Sequence, residues 1–230
     1  MKAGILCAGD DELTPFLSSM RCRTALEKAK LTFYCGKIEN IDVVAVFSGA
    51  CKVNAAIAAQ ILIDTFKVDA VINSGTAGGM NPCLEIFDTV ISTEAAYHDV
   101  SPDILTAFHP WMETEFFYAD AKLLERSKAV SYTHLTLNSN YKVYWGRMVT
   151  GEAFIDTKNR QEINDKYAPF SVDMETAGIA HVCYVFDIPF ISIRSITDTA
   201  AHSGTDNFEK NCQTAAAIAR DITVALISRL

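Results

Sequence analysis

Three segments of this 230-residue chain place acidic or polar residues directly after an apolar run, which is where a chemical site is expected. Glu175 ends the sequence Ser-Val-Asp-Met-Glu, and Asp198 ends the run Ile-Ser-Ile-Arg-Ser-Ile-Thr-Asp. The glycine-rich stretch 73–79 follows the apolar run 69–72. In open α/β sheets the binding crevice lies beyond the carboxyl ends of the strands. Two carboxylates and a glycine turn at strand ends therefore predict one shared pocket with acid/base chemistry.

Each acid also has a purely structural interpretation. Asp173 precedes a helical pattern and suits an N-cap, Glu175 in the first turn complements the helix dipole, and Asp198 suits a cap of the following loop. Glu12 belongs to the acidic trio 10–12 at the head of a helix, where it suits a solvated first turn. The joint occurrence of three acids and a glycine turn at strand ends favours a site.

The strand that ends at Asp198 predicts the surroundings of this carboxyl. Arg194 and Asp198 share a face, but four residues along a regular strand separate them by roughly 13 Å. Arg194 is therefore a poor direct partner for Asp198. A carboxyl set among Ile191, Ile193 and Ile196 is expected to be poorly solvated, which raises its pKa and suits a proton donor.

The elements that must position these residues alternate along the chain. Runs of β-branched and aromatic residues predict strands over 2–8, 42–48, 69–74, 87–92, 142–150 and 189–196. Apolar residues three and four apart predict helices over 52–66, 120–130, 158–167, 175–186 and 206–229. This alternation predicts an α/β fold, a three-layer α/β/α sandwich around a mixed, mostly parallel central sheet. No linker divides the sequence, so a single domain over 1–230 is expected.

Composition and charge exclude several classes of protein. The net charge of −8 and the pI near 5.1 argue against a nucleic-acid partner. The seven cysteines have neither paired nor zinc-site spacing, so they are interpreted as reduced thiols without a metal. The apolar start of the chain is too short and too soon acidic for a secretory signal, and no run is long enough for a membrane span. A soluble, cytoplasmic protein is expected.

Seven segments together resemble one enzyme family. They occur in the order and approximate spacing of the 5′-methylthioadenosine/S-adenosylhomocysteine nucleosidases, within the purine nucleoside phosphorylase superfamily. The segments are GILCAGDDE, SGACKVNAA, INSGTAGGM, EAAYHD, TGEAFI, VDMETAGIAHVC and IRSITDTA. Each is a modest signal alone, but seven in register are specific, and they cover both ends and most of the middle of the chain.

The resemblance implies a homodimeric hydrolase that cleaves the adenine N-glycosidic bond of 5′-methylthioadenosine, S-adenosylhomocysteine and related nucleosides with water. The products are adenine and the 5-thioribose compound, and no metal or cofactor is implied. On the matching positions, Asp198 would hold N7 and N6 of adenine and protonate N7. Glu12 would orient and deprotonate the attacking water. Glu175 and Met174 would hold the ribose hydroxyls.

The same resemblance implies a set of substrate-binding residues. Phe154 would stack on adenine, and the backbone of Ile155 would hydrogen-bond to it. The rest of the implied set is Ala50, Thr76, Ala77, Gly78 and Phe108. Large apolar residues within 100–117 predict that this segment, with Phe108, crosses to the partner subunit's 5′-substituent pocket.

The chain departs from the family pattern at several places. Cys51 stands where the family has a glycine, and Thr76 stands where it has a serine. The usual Met-Glu-Glu-Glu is Gly-Asp-Asp-Glu over 9–12, which retains the last acid. The segment after Asp99 lacks the usual Phe-Gly-Tyr, so the preferred 5′ substituent is left open.

Two other functions remain as alternatives. A phosphorylase of the same superfamily needs arginines for phosphate, but Asn73 stands where one is usual, and Arg21 and Arg23 lie too far beyond the first strand. A non-catalytic nucleoside sensor would not need both Glu12 and Asp198. A dinucleotide-binding oxidoreductase is disfavoured because the first glycines lack the GxGxxG spacing.

Overall fold

The computed structural model of the chain describes residues 1–109, 111–135, 141–155, 159–202 and 204–230, with the backbone alone over 131–135. The strands are β1 (Lys2–Cys7), β2 (Arg21–Lys28), β3 (Leu31–Ile38), β4 (Ile41–Phe47), β5 (Ala70–Gly79), β6 (Thr89–Tyr97), β7 (Phe117–Tyr118), β8 (Val143–Thr150), β9 (Ser171–Asp173) and β10 (Phe190–Asp198). The helices are α1 (Asp10–Ser19), α2 (Lys52–Asp64), α3 (Pro102–Phe108), α4 (Ala121–Leu135), α5 (Arg160–Tyr167), α6 (Thr176–Val185) and α7 (Thr205–Ile227).

All six predicted strands and all five predicted helices occur, with shifted ends. The strand predicted over 69–74 continues to Gly79, so the glycine stretch is part of β5 and not a turn after it. The helix predicted over 120–130 continues to Leu135. The predicted start of α5 at 158 lies outside the described residues. The acidic trio begins α1, as predicted for the head of a helix.

The sheet is mixed, which confirms an α/β fold but not the predominance of parallel strands. Parallel ladders join β1 to β4 and β5, β10 to β5, and β8 to β6 and β9. As many antiparallel ladders join β2 to β3, β3 to β4, β5 to β9, β6 to β7 and β6 to β10. The strands β2, β3, β7 and β9, none of which was predicted, account for most antiparallel pairs; β2 is exposed, and β7 and β9 are short.

One part of the sheet closes on itself. The strands β5, β10, β6, β8 and β9 pair in a ring, because β5 pairs with both β10 and β9. Within this ring Gly78 is in register with Asp198 on one side and with Val172 on the other. The carboxyl ends of β5 and β10 therefore meet beside β9, which leads directly into Glu175.

Alternating residues of the central strands pack into two apolar cores. In β1, Leu6 belongs to one core, whereas Ile5 and Cys7 belong to the other. The first core includes residues of α2 and α6, and the second includes residues of α1, α4 and α7. The predicted apolar stripe of the last helix is largely buried, including Ala215, Ala219, Ile222 and Leu226. Of the helices in the described ranges, none is long and apolar enough to cross a membrane.

The segment 100–117, in which the sequence predicted neither a strand nor a helix, contains the short helix α3. Ser101 is its N-cap residue, and Pro102 occupies the first helical position, where the missing N–H of proline removes no helical hydrogen bond. Leu105 and Met112 are buried in the first core, while Ile104, Phe108 and Trp111 are exposed. The large apolar residues of this segment therefore divide between the core and the surface.

Candidate active site

A cavity of about 700 Å³ opens where the carboxyl ends of β5 and β10 meet beside β9, which runs antiparallel to β5. Every predicted site residue except Phe108 lines it. These residues are Glu12, Ala50, Thr76, Ala77, Gly78, Phe154, Ile155, Met174, Glu175 and Asp198. Phe108, at the end of α3, is 72% exposed and lies outside the cavity. Its predicted role concerned the pocket of a partner subunit and remains a prediction.

Arg194 lies at the base of the cavity with an exposed fraction of 1%. Its Nη2 donates to Glu175 Oε2 at 3.3 Å, its Nε lies 3.3 Å from Asp173 Oδ2, and its Nη1 lies 3.7 Å from Glu12 Oε1. Nη1 also donates to the carbonyl oxygen of Thr76 at 2.9 Å. Burial lowers the pKa of Arg194, but the three carboxylates outweigh this effect and raise it above the ordinary value. The guanidinium is thus the shared counter-ion of three buried acids.

The carboxylate of Glu12 is held by four donors. Oε1 accepts the backbone N–H and the hydroxyl of Thr76 at 2.7 and 2.8 Å. Oε2 accepts the backbone N–H groups of Ala8 at 2.8 Å and Gly9 at 3.3 Å. Gly75 packs against this carboxylate so closely that a Cβ there would lie 2.4 Å from its carbon. Glu12 is therefore buried and fixed, not the solvated first-turn acid of the structural interpretation.

Glu175 and Asp173 occupy the start of α6. Asp173 Oδ1 accepts the backbone N–H groups of Glu175 and Thr176 at 3.2 and 3.0 Å, so it holds the start of the helix from two residues before the N-cap position that was predicted for it. Glu175 itself is the N-cap residue, and its Oε1 accepts the backbone N–H of Cys51 at 3.0 Å. Burial raises the pKa of Glu175 to about 7, with repulsion from Asp173 adding to the rise and Arg194 opposing it.

Asp198 has surroundings different from those of Glu12. Burial raises its pKa above the ordinary value, although a hydrogen bond from Thr197 and the charge of Arg160 oppose the rise. Oδ1 accepts the Thr197 hydroxyl at 2.9 Å, and Oδ2 lies 4.0 Å from Arg160 Nη2. Within the described residues, no donor is hydrogen-bonded to Oδ2. The prediction that Asp198 is poorly solvated and has no direct partner in Arg194 agrees with this geometry.

The loop after β8 forms another wall of the cavity. Phe154 is 40% exposed, and its ring meets that of Phe208 edge to face with centroids 6.3 Å apart. Ile155 is buried, and its carbonyl oxygen lies 3.5 Å from Arg160 Nη2. An accessible aromatic face and a polar backbone edge beside a buried acid suit a flat heteroaromatic ligand.

Cys51 adopts a backbone conformation that favours glycine. Its φ of 83° and ψ of 157° fall in a region that side chains rarely occupy. The same residue donates its N–H to Glu175, so the strain is located at a contact of the site. Cys51, which stands where the family pattern has a glycine, therefore has a backbone conformation typical of glycine.

Sequence reasoning missed several residues of the cavity. Arg194 was considered only as a partner of Asp198, and its reach to acids on α1, β9 and the start of α6 depends on the closed ring of strands. Phe208 and Cys212 were interpreted as part of the apolar stripe of α7, yet both line the cavity. In the sequence, only the large aromatic residue Phe208 near the start of α7 could have indicated that this helix lines the cavity. Within the described residues no group of three or more His, Cys, Asp or Glu could hold a metal ion.

Comparisons with known proteins agree with this geometry. A family model described as the phosphorylase superfamily matches residues 2–228. A 5′-methylthioadenosine/S-adenosylhomocysteine nucleosidase from an Exiguobacterium species is 37% identical, covering 100% of this chain and 99% of that protein.

Solved structures of such nucleosidases superpose over the whole chain. The enzyme from Colwellia psychrerythraea in complex with adenine has a TM-score of 0.90 and 32% identity, covering 100% of this chain and 96% of that one. The enzyme from Neisseria meningitidis in complex with methylthio-immucillin-A also has a TM-score of 0.90, with 29% identity and coverage of 100% and 99%.

Replacing Arg194 by Met should destabilise the protein in a pH-dependent way. Loss of a buried counter-ion typically costs about 3–5 kcal/mol. The folded-state pKa of Glu175, about 7, already exceeds the ordinary value of 4.5 and should rise further without Arg194. Protonation then stabilises the folded state, so the loss of stability should be largest near pH 8 and shrink toward pH 5. Urea unfolding at both pH values measures this.

The control for that experiment is Arg220→Met, which removes a partly buried arginine whose carboxylate partner is the exposed Asp221. We expect this variant to lose little stability at either pH. An equal loss of stability at pH 5 and pH 8 in the Arg194 variant would contradict the counter-ion role.

Replacing Cys51 by Gly should stabilise the protein. A side chain in this backbone region costs on the order of 1–3 kcal/mol, while glycine loses about 0.5–1 kcal/mol through the entropy of the unfolded chain. A net gain of up to about 2 kcal/mol is expected from the difference. Cys51→Ala is the matched control, since it removes the thiol but retains the Cβ. Thermal unfolding in which the alanine variant gains as much as the glycine variant would refute the strain.

Proposed function

The chain belongs to the 5′-methylthioadenosine/S-adenosylhomocysteine nucleosidase family of the phosphorylase superfamily, and from this premise we propose roles for its buried acids. The chain is an N-glycosyl hydrolase that splits 5′-methylthioadenosine and S-adenosylhomocysteine into adenine and the thioribose product. We propose that residues 1–230 act as one nucleosidase domain. The observation that carries the residue roles is the pair of unlike acids, Glu12 and Asp198, facing one cavity.

In the proposed mechanism Asp198 is the proton donor. Burial raises its pKa, so it retains a proton to higher pH than an exposed aspartate. Asp198 lines the cavity, and its Oδ2 has no hydrogen-bond donor among the described residues. Transfer of this proton to N7 of adenine lets the electrons of the C1′–N9 bond move onto the base. Adenine then leaves as a neutral molecule.

Glu12 is proposed as the base that activates water. Its lone pairs already receive four hydrogen bonds, of which the one from Gly9 N–H, at 3.3 Å, is the longest. A water bound near C1′ is best placed to replace this weakest contact. Glu12 then accepts the proton of the water as the new C1′–O bond forms, and this proton later returns to solvent.

Glu175 and Met174 are proposed to hold the ribose. The Glu175 carboxylate is fixed between the Cys51 N–H and Arg194, which leaves oxygen lone pairs toward the cavity for the sugar hydroxyls. Hydrogen bonds to these hydroxyls strengthen as the sugar gains positive charge in an oxocarbenium-like transition state. Arg194 prevents the three acids from repelling one another before substrate binds.

The remaining predicted residues are proposed to form the adenine pocket. Phe154 offers an exposed ring for stacking, and Ile155 offers backbone groups at the edge of the cavity. Thr76, Ala77 and Gly78 line the opposite wall through β5. Ala50, which is small, borders the sugar side next to Cys51 and leaves space for ribose.

A phosphate-dependent reaction is less well supported by the same cavity. Among the described residues, Arg194 is the only cationic side chain in its lining, and three carboxylates already surround it. A phosphate at this position would meet Glu12 and Glu175. Asn73, in the place of a usual phosphate arginine, instead bonds to Leu6 O and Ser192. Water is therefore the favoured nucleophile.

We further propose that the protein is a homodimer. Three exposed apolar side chains, Val53, Val185 and Phe186, line a groove of about 500 Å³ between α2 and α6. Other exposed apolar side chains on or just after α2, α3 and α6 are Ile57, Ile104, Phe108, Trp111 and Tyr184. Apolar patches of this kind mark interfaces, and the aromatic residues enriched here are typical of them. In such a dimer Phe108 of each subunit would reach the 5′ end of the partner's cavity.

Removing either acid should abolish most of the activity. Positioned acids and bases contribute about 10²- to 10⁴-fold to the rate, so Asp198→Asn and Glu12→Gln should each lower kcat by at least about 100-fold. Adenine release from 5′-methylthioadenosine in phosphate-free buffer measures this, with product analysis for a sugar phosphate when phosphate is added.

Asp165→Asn serves as the control, since this acid lies on α5 away from the cavity lining. It should retain wild-type kcat. Retention of more than about a tenth of wild-type kcat in either site variant would remove that residue from the mechanism. Strict dependence on phosphate, or a ribose 1-phosphate product, would favour the phosphorylase instead.

The dimer predicts a coupled effect on assembly and substrate preference. Replacing Phe108 and Trp111 by Ala should weaken self-association, and should raise KM for nucleosides with bulky 5′ groups more than for adenosine. Leu26→Ala, on the exposed strand β2, is the control for loss of an exposed apolar side chain. Sedimentation of the wild-type protein as a monomer, with unchanged preference in the double variant, would refute the proposal.

A further inference from the structure

Three charged residues outside the cavity, Lys52, Asp99 and Glu152, form a closed ring of contacts. Lys52 Nζ donates to Asp99 Oδ1 and Oδ2 at 2.8 and 2.9 Å. Asp99 Oδ2 also accepts the backbone N–H of Glu152 at 2.9 Å. Glu152 Oε1 in turn accepts the backbone N–H of Lys52 at 3.0 Å. The ring joins the start of α2, the residues after β6 and the loop after β8.

Each side of this ring continues into the active site. Lys52 follows Cys51, whose N–H donates to Glu175. Glu152 begins the stretch that carries Phe154 and Ile155. The Lys52–Asp99–Glu152 ring is thus the polar connection between the group proposed to hold ribose and the loop proposed to hold adenine.

The Lys52 side of the ring is held firmly. Gly178 of α6 approaches it so closely that a Cβ there would lie 3.2 Å from the carbonyl oxygen of Lys52. The ammonium group of Lys52 also lies 5.1 Å from the centre of the Tyr97 ring. The start of α2 is therefore fixed against the helix that begins after Glu175, and the 151–155 loop is positioned relative to it through Asp99.

The charges of the ring are better suited to holding the 151–155 loop in place than to increasing the free energy of unfolding. Burial raises the pKa of Asp99, but the hydrogen bonds from Lys52 and from the Glu152 N–H outweigh it, so the pKa lies below its ordinary value. Asp99 is therefore ionised at neutral pH. Its side chain and that of Glu152 are partly exposed, and ion pairs in such places contribute little to the free energy of unfolding.

We infer that Lys52, Asp99 and Glu152 are positioning residues that hold the 151–155 loop in register with Glu175, so that adenine and ribose are bound at the separation the reaction needs. This inference rests on the proposed roles of Phe154, Ile155 and Glu175. None of the three ring residues lines the cavity, so they act through the loop and through the start of α2.

The test is to remove one charge of the ring while keeping the size of the side chain. Asp99→Asn retains the size of the side chain but removes its charge. A displacement of about 1 Å in a positioning group costs on the order of 100-fold in rate, so kcat/KM for 5′-methylthioadenosine should fall by about ten- to 100-fold. The dissociation constant of free adenine, measured by calorimetry, should rise several-fold, because the loop that binds adenine is displaced.

Two further variants separate positioning from simple loss of structure. Lys52→Met removes the same ion pair and should cause a similar loss, and the double variant with Asp99→Asn should lose no more than either single variant. Lys52→Arg retains the positive charge, so it should bind adenine more tightly than Lys52→Met and nearly as tightly as the wild-type protein. Asp42→Asn removes the exposed ion pair with Lys37 and is the control. We expect it to have wild-type kinetics and a change in unfolding midpoint similar to that of Asp99→Asn.

Adenine affinity and kcat/KM within twofold of wild type in Asp99→Asn would overturn the inference, as would losses that multiply in the double variant. If Asp99→Asn does not fold, Lys52→Met decides the question by the same criteria. Failure of the proposed function has a different signature, because wild-type protein would then release no adenine, or Glu12→Gln would remain active.

Discussion

The active site depends on one buried guanidinium. Arg194 is the common counter-ion of Glu12, Asp173 and Glu175, and none of these acids could be buried so close to the others without it. Burial raises the pKa of Glu175 to about 7, and repulsion from Asp173 and Glu12 adds to this rise, while Arg194 opposes it. Asp198 lies outside this cluster, and burial raises its pKa. The proposed proton donor and the proposed base therefore face the same cavity from different surroundings.

The closed ring of strands makes this cluster possible. In an open sheet, the ends of β9 and β10 would be several strands apart, and no single arginine would reach the acids near both. Because β5 pairs with β10 and β9 at once, Gly78 adjoins Asp198 directly, and the chain after β9 returns Glu175 to Arg194. The fold thus brings together carboxylates that are far apart in the sequence.

The sequence predicted the long elements and most of the cavity lining, since buried β-branched runs and amphipathic helices carry strong local signals. It did not predict β9, a strand of three residues, or β2, whose side chains are all exposed, because neither has an apolar pattern. The contacts of Arg194 could not be predicted, because they follow from pairings between strands distant in the chain. The proposed place of Phe108 involves a second subunit, which one sequence does not describe.

Gly75 illustrates how a residue without a side chain can control a reaction. Its backbone and the Glu12 carboxylate fill the same small space, and any Cβ at this position would overlap the acid. A larger residue there would displace the Glu12 carboxylate from its four donors. Position 75 should therefore tolerate glycine alone for as long as position 12 carries the proposed base, so the residue type at one position constrains the residue type at the other.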